Sequence, residues 1–389
     1  MRLLEVNTVA YGSSVGAYMR SVAHEARRRG VEVAIAKGRR DDVPGYLNID
    51  TSTPLSLAVD GLATRLFDLH GRTGARATRN FIEYAEGFAP DVIHLHNIHG
   101  YYLHYPTFFE WLKDYGAPVF WTLHDCWALT GHCPFPESGA WKCPRRAVGC
   151  GECTQLREYP QSLFADRSAS NFDLKAKIFT SVPDLTLLPV SQWMSDMVAS
   201  SPLADLPRHI IKIDIDTDIF RPTGTPAVKR VLGVATNWDK RKSPDFFSRL
   251  RNEIPDDVEI RIVGKKPRHD IAGITFTGVL ARKQLVEEYS RATVFVNPTM
   301  AESYGLVNRE AIACGCPVVT RNAGGATEGL LTAAAPVLAG DTDDELIAHT
   351  RTMLAAPESI RTSARESAMS LFDGRPGMNR LIDLLINAI

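Results

Sequence analysis

The chain has 389 residues, beyond the size at which one hydrophobic core usually keeps growing, so two domains are expected. Its composition is that of a globular protein, 44% hydrophobic and 23% charged, and a net charge of -1 gives no basic field to attract nucleic acid. No apolar run is long enough to span a bilayer, and Met1 to Val6 reads as a first strand rather than a signal peptide, which predicts a cytoplasmic protein.

Residues 2–7 form a short, largely apolar strand, followed by the small-residue loop Tyr11-Gly12-Ser13-Ser14-Val15-Gly16. Met19, Val22, Ala23 and Ala26 then fall on one stripe of a helix ending at Gly30, and 31–36 is the next strand. Further strands read at 92–96, 119–123 and 185–190. Residues 211–221, with Pro222-Thr223-Gly224-Thr225-Pro226 after them, form the expected hinge. Strands at 231–235, 258–263, 275–277, 293–297 and 318–320 follow, with helices between most of them. Buried strands alternating with helices mean a doubly wound α/β domain, twice over. The expected boundaries are 1–213 and 214–373, with a C-terminal helix over 374–389 packing back on the first domain.

Such sheets bind ligands outside the carboxyl ends of their strands. The candidates at those ends are Gly12 to Gly16, His94 to His99, His124-Asp125, Asn237 to Lys242, Gly264-Lys265 and Pro298 to Gly305. The most informative stretch runs from Asn297 to Glu310, where Glu302 and Glu310 stand eight positions apart. On a single helix they would lie about 80° apart around the axis and about 12 Å along it. That is too far to share a proton. It suits a long polar ligand held at both ends, with a helix N-terminus between them for a phosphate. A nucleotide diphosphate sugar has that shape. Two solvated glutamates beside an ordinary strand–helix turn are the competing reading.

Glu302 to Glu310, followed by Ala313-Cys314-Gly315-Cys316-Pro317-Val318-Val319 and Gly324-Gly325, resembles the retaining glycosyltransferase family 4 of GT-B fold. The resemblance covers nearly the whole chain. Within the family, His124-Asp125-Cys126-Trp127-Ala128-Leu129-Thr130-Gly131-His132-Cys133 looks like the branch of bacterial capsule and exopolysaccharide assembly. It implies two Rossmann-like domains facing across a cleft, the first on the acceptor side and the second binding the nucleotide sugar. By that resemblance Glu302 contacts the donor sugar's hydroxyls and Glu310 the ribose. Tyr304, Gly305, Leu306 and Val307 present backbone N–H groups to the diphosphate, and Arg241 and Lys242 neutralise the departing nucleotide. His124 meets the sugar near the reacting carbon. A solvated basic pair and a satisfied structural histidine are the alternatives for Arg241-Lys242 and His124.

Gly12, Ser13 and Gly16 make too short a loop for the dinucleotide fingerprint, but as a loop opening a helix they can offer N–H groups to phosphate or acceptor. Gly264 and Lys265 hold a comparable position. Tyr101, Tyr102, Tyr105 and Trp127 are candidate sugar platforms. Cys133, Cys143, Cys150 and Cys153 cluster in a Gly/Pro-rich insertion over 131–160. Four thiolates could close a structural zinc site, although the Cys133–Cys143 gap is not a standard spacing, and free thiols or a redox pair stay open. The runs Asp214-Ile215-Asp216-Thr217-Asp218 and Asp341-Thr342-Asp343-Asp344 read as structural. Ile213-Asp214 replaces the Asn-Gly turn usual in the family before Ile215-Asp216.

The expected activity is retaining transfer of a hexose from a UDP- or GDP-linked donor to a hydroxyl of a saccharide or lipid-linked saccharide, in polysaccharide biosynthesis. No cofactor is required for catalysis on this reading, and contact with the membrane would be peripheral, at its inner face. The alternatives are a nucleotide-sugar 2-epimerase on the same fold and a non-catalytic sugar-nucleotide-binding protein.

Overall fold

A computed structural model describes the chain except residues 40, 139–140, 144, 146–148, 225–227, 267–271, 333–334 and 389. Thr225 and Pro226 of the expected hinge, part of the cysteine-bearing insertion and the final Ile389 therefore lie outside the described residues. The chain divides into two compact units. The first comprises Met1–Pro136, Cys143–Ile213 and Gly377–Ile389; the second comprises Asp214–Pro376 together with Glu137–Lys142.

The first unit alternates β1 (Arg2–Asn7), α1 (Ser14–Arg28), β2 (Glu32–Lys37), β3 (Leu47–Asp50), α2 (Pro54–Phe67), α3 (Ala75–Phe88), β4 (Val92–Leu95), α4 (Tyr105–Tyr115) and β5 (Val119–Leu123). The chain then makes a small antiparallel hairpin that groups with the second unit, β6 (Glu137–Ser138) with β7 (Trp141–Lys142), and the first unit resumes with α5 (Ser168–Phe179), β8 (Leu185–Pro189) and α6 (Gln192–Ala199). Its six strands are all parallel, in the order β3-β2-β1-β4-β5-β8. Ser13 starts α1 by accepting the Gly16 N–H at 2.9 Å, and the buried stripe is the one read from sequence: Met19, Val22, Ala23 and Ala26.

The second unit runs β9 (Val228–Asn237), α7 (Asp245–Arg251), β10 (Glu259–Lys265), β11 (Ile274–Phe276), α8 (Arg282–Arg291), β12 (Ala292–Asn297), α9 (Leu306–Ala313), β13 (Val318–Arg321), β14 (Val337–Gly340), α10 (Asp343–Leu354) and α11 (Ser359–Phe372). Its sheet is again six parallel strands, β11-β10-β9-β12-β13-β14. The last helix, α12 (Pro376–Ile386), belongs almost entirely to the first unit, where Asp383 takes the Arg29 guanidinium at 2.6 Å. Alternate residues of β12 serve opposite faces. Phe295 packs among Tyr289 and Ile312, while Val294 and Val296 pack among Phe247 and Leu346. Full burial of each such side chain contributes about 1.5–3 kcal/mol relative to exposure.

In each sheet the strand order reverses direction beside its first strand, between β1 and β4 and between β9 and β12. Ligands of open α/β sheets sit outside the strand ends at such a switch point. Two edge strands, β3 and β14, are absent from the sequence reading.

Candidate functional site

At the switch point of the second sheet, the ends of β9 and β12 bring two loops together. Asp239 accepts the Lys242 N–H at 3.0 Å and winds 240–242 into a single tight turn, which Ser243 closes at φ 50°. The Met300 N–H donates to the Arg241 carbonyl at 2.8 Å, and the Arg241 guanidinium donates to the Ala301 carbonyl at 2.9 Å. These bonds place Lys242 Nζ 2.8 Å from Glu302 Oε2, with side chains 14% and 16% exposed. Burial pushes Lys242 below its ordinary range, and Glu302 pulls it back only in part. Burial alone would raise Glu302, yet the Lys242 and Arg241 cations hold it below its ordinary value.

Glu302 and Glu310 do not share a helix. Gly305, at φ 72°, ends the loop and α9 begins at Leu306, so the single-helix spacing does not apply. A Cβ on Gly305 would stand 3.1 Å from Ala326 Cα, so both backbone conformation and space require glycine there. In the first turn of α9 the Asn308 N–H turns back to the Gly305 carbonyl at 3.1 Å, and the N–H groups of Leu306 and Val307 stand ahead of the first intrahelical bond. Behind the loop, buried Arg309 stacks 3.5 Å from the Tyr304 ring centroid and donates to the carbonyls of Tyr304, Gly305 and Glu328. Farther along α9, burial pushes Glu310 up to about 7, although the Tyr289 hydroxyl donates to its Oε2 at 3.1 Å.

The first unit carries a different chain of groups at its own switch point. Glu5 on β1 lies opposite His94 on β4 in register. Its two oxygens take His94 Nδ1 at 3.0 Å and His96 Nε2 at 2.7 Å. Burial opposes ionisation, but the two imidazoles bring Glu5 down to about 2. Burial and then His94 bring His96 down to about 4 although Glu5 pulls it up, so it is neutral near pH 7, with Nδ1 as an acceptor. His124 Nε2 lies 3.1 Å from that nitrogen. Burial, then His96, His94 and His99, lower His124 well below 6.5, so it is neutral too. The network therefore assigns the Nε2–H tautomer to His124 and leaves Nδ1 as a bare acceptor. Glu5, His94 and His96 are also the one described set of three ligand atoms mutually within 4.8 Å. Their polar atoms already bond one another, Thr122 and His124, which makes the group a hydrogen-bonded array rather than a vacant metal centre.

Other sequence-selected residues fare differently. Gly16 gives its N–H to Ser13, and a Cβ there would meet the Val9 and Ala10 carbonyls, so close packing accounts for it and the amide is not free for phosphate. The Gly264 N–H is likewise committed, to the Gly278 carbonyl at 2.8 Å, while Lys265 beside it is exposed. Tyr102, Tyr105 and Trp127 are 3%, 1% and 1% exposed, so they belong to the core and cannot serve as sugar platforms. Exposed Tyr159, not singled out from the sequence, meets His99 Nδ1 through its hydroxyl at 3.0 Å, and His99 Nε2 meets Asp125 at 2.9 Å. Cys126 is buried. Asp216 pairs with Arg375 at 2.6 Å, and Thr342 caps α10 just before Asp343.

Glu5, His94 and His96 escaped the sequence reading as a unit. The signal was available: two histidines at period two on a buried strand share one face.

Residues 13–150 match the family model of the glycosyl transferase 4-like domain, and residues 229–356 that of glycosyl transferases group 1. The chain belongs to the group 1 and 4-like glycosyltransferases, which have the two-domain GT-B fold. The Escherichia coli (strain K12) protein WcaC, named for colanic acid biosynthesis as a glycosyl transferase, is 24% identical over 375 residues, 85% of each chain. A D-inositol 3-phosphate glycosyltransferase of Nocardiopsis dassonvillei is 34% identical over 214 residues, and the chain spans about half of that relative's length (49%). Among solved structures, sucrose-phosphate synthase from Thermosynechococcus elongatus superposes with TM-score 0.72 at 16% identity over 98% of both chains. Anabaena HepE, solved in complex with UDP and glucose, gives 0.70 at 14% identity over 100% of both.

Proposed function

We propose that the protein transfers a hexose, with retention, from a UDP- or GDP-linked donor to a hydroxyl of a saccharide or lipid-linked saccharide acceptor. The observation that carries this reading is the Lys242–Glu302 pair at 2.8 Å, held beside Arg241 and the N-terminus of α9. Cations and open N–H groups at one point suit a diphosphate, and a carboxylate next to them suits sugar hydroxyls. Glu310, farther along α9, takes the ribose. In the first unit, His124 offers its Nδ1 acceptor to a donor-sugar hydroxyl, oriented by His96 and Glu5.

During transfer the bond from the anomeric carbon to the diphosphate oxygen breaks, and a bond from the acceptor oxygen forms on the same face. The acceptor's proton passes to the departing oxygen. Lys242 and Arg241 stabilise the charge that develops there, so they lower the barrier rather than merely hold the donor. The step needs no metal on this reading. A polysaccharide acceptor is supported by the name of WcaC, and a uridine donor by the ligands of HepE. No helix among the described residues is long and apolar enough to cross a membrane. Leu55, Leu62 and Phe67 stand exposed along α2 and support peripheral contact with the inner membrane face.

The test is incubation with a panel of UDP- and GDP-hexoses, with and without oligosaccharide acceptors. Acceptor-dependent product with the donor's anomeric configuration is expected. An inverted linkage would overturn retention. Conversion of donor alone to its 2-epimer would replace transfer by epimerisation.

A further inference from the structure

Of the five cysteines between β5 and α5, none of which the proposed transfer uses, four gather at one place. Cys133, Cys143, Cys150 and Cys153 are all free thiols, and all four line one cavity of about 190 Å³ within the first unit. Cys150 and Cys153 are separated by Gly151 at φ 127° and Glu152 at φ 47°. A left-handed glutamate is held only where its surroundings demand it, and this turn brings both sulfurs to one wall. The Gly131 N–H donates to Cys150 Sγ at 3.1 Å, a bond that strengthens when the sulfur carries negative charge.

His132 lines the same cavity and is 2% exposed. Its Nδ1 bonds Asp68 Oδ1 at 2.7 Å, which leaves Nε2 as a lone pair, and that atom is buried without a hydrogen-bond partner. An unsatisfied buried acceptor costs about 1–3 kcal/mol. An imidazole steered by a carboxylate through one nitrogen, with the other turned to a set of thiols, has the arrangement of a metal-ligating histidine. Buried Lys175 adds a charge argument. It donates to the carbonyls of Trp127 and Thr130 at 2.8 and 2.9 Å, with its Nζ 3.4 Å from the Trp127 ring centroid. A thiolate-bound divalent ion carries net negative charge, which a cation near Cys133 and Cys150 would offset.

We propose that this cavity is a structural zinc site, with Cys150 and Cys153 as its chelating pair and two further ligands drawn from Cys133, Cys143 and His132. No three of these ligand atoms lie mutually within 4.8 Å, so ligation must draw the sulfurs inward to Zn–S distances of about 2.3 Å. Each ligating thiol loses its proton to solvent, and binding therefore strengthens as pH rises. The ion ties the turn after β5 to the Cys150–Cys153 turn.

The experiment uses the full chain, purified reduced from zinc-supplemented culture. Elemental analysis is expected to find roughly one zinc per chain. Exchange for cobalt(II) should give the absorption of a tetrahedral thiolate site, and the band positions tell four sulfurs from three sulfurs and one nitrogen. Cys150→Ser and Cys153→Ser should each lose most of the metal. Should those variants fail to fold, wild-type protein still decides the matter: a strong chelator should lower its melting temperature and make the four thiols reactive. Binding of UDP, read in parallel, reports on the donor site alone. Protein that holds no zinc, whose four thiols react equally with and without added zinc and whose melting is unmoved by either zinc or chelator, would overturn the site and leave the transferase reading standing.

Discussion

Glu310 gives a prediction that can be sized from the structure. Its carboxyl is raised from 4.5 to about 7 by burial, so ligand-free protein at pH 6 holds it mostly protonated. Ribose hydroxyls are best accepted by the carboxylate, and binding should therefore release this proton. Apparent affinity falls by the fraction of competent protein, which is 1 in (1 + 10^(pKa−pH)). For a group near 7 the penalty is about elevenfold at pH 6 and about 1.1-fold at pH 8, a net change of roughly tenfold. The sign is fixed: binding tightens as pH rises. The assay is calorimetric titration with UDP at pH 6, 7 and 8, in buffers of different ionisation enthalpy to count protons. The nucleotide's own phosphate titrates in part of this window, and Glu310→Gln supplies its baseline. Wild-type protein should show about one decade more pH dependence than the variant. Equal slopes in the two proteins would refute the assignment of Glu310 to the ribose.

Lys242→Ala should lower turnover by about 10²–10³ with a smaller change in donor affinity, because its charge acts mainly on the leaving group. Arg241→Ala should lose less, since part of its guanidinium is engaged by the Ala301 carbonyl; single-turnover and binding measurements separate the two effects. Glu302→Gln should barely alter inhibition by free nucleoside diphosphate, whereas Glu310→Gln should weaken it, and the reverse pattern would exchange their roles. Gly264→Ala should destabilise the protein by about 1–3 kcal/mol or more in a denaturant melt, because the new Cβ drives into the Ala235 carbonyl at φ 126°, while Lys265→Ala leaves stability unchanged.

The central strands of both sheets were legible because buried parallel strands are continuous apolar runs. The strands missed in the two large sheets, β3 and β14, are four-residue edges; β3 buries only Ile49 and so presents no run to read. Glu302, Arg241 and Lys242 were visible as residue types at strand ends, and Glu310 by its spacing from Glu302. Their pairing was not, because it depends on β9 and β12 being neighbours, a contact across about sixty residues of sequence. The aromatic platforms misled for a related reason: tyrosine and tryptophan serve core and surface alike, and only packing shows that Tyr102, Tyr105 and Trp127 face inward. Glu5 is not distinguished within its apolar strand by sequence, and only the pairing with β4 sets two imidazoles against it.

Arg309 has a consequence for how ligands are met. It is a buried cation that donates to the carbonyls of Tyr304 and Gly305, in the backbone that turns into α9, and ties them to the Glu328 carbonyl. The loop from Glu302 to Gly305 is thus braced from behind before anything arrives, and its conformational entropy is already spent in folding. A nucleotide landing there has little chain to organise. Its binding heat capacity should be that of surface burial alone, without the larger signature of a segment folding around it.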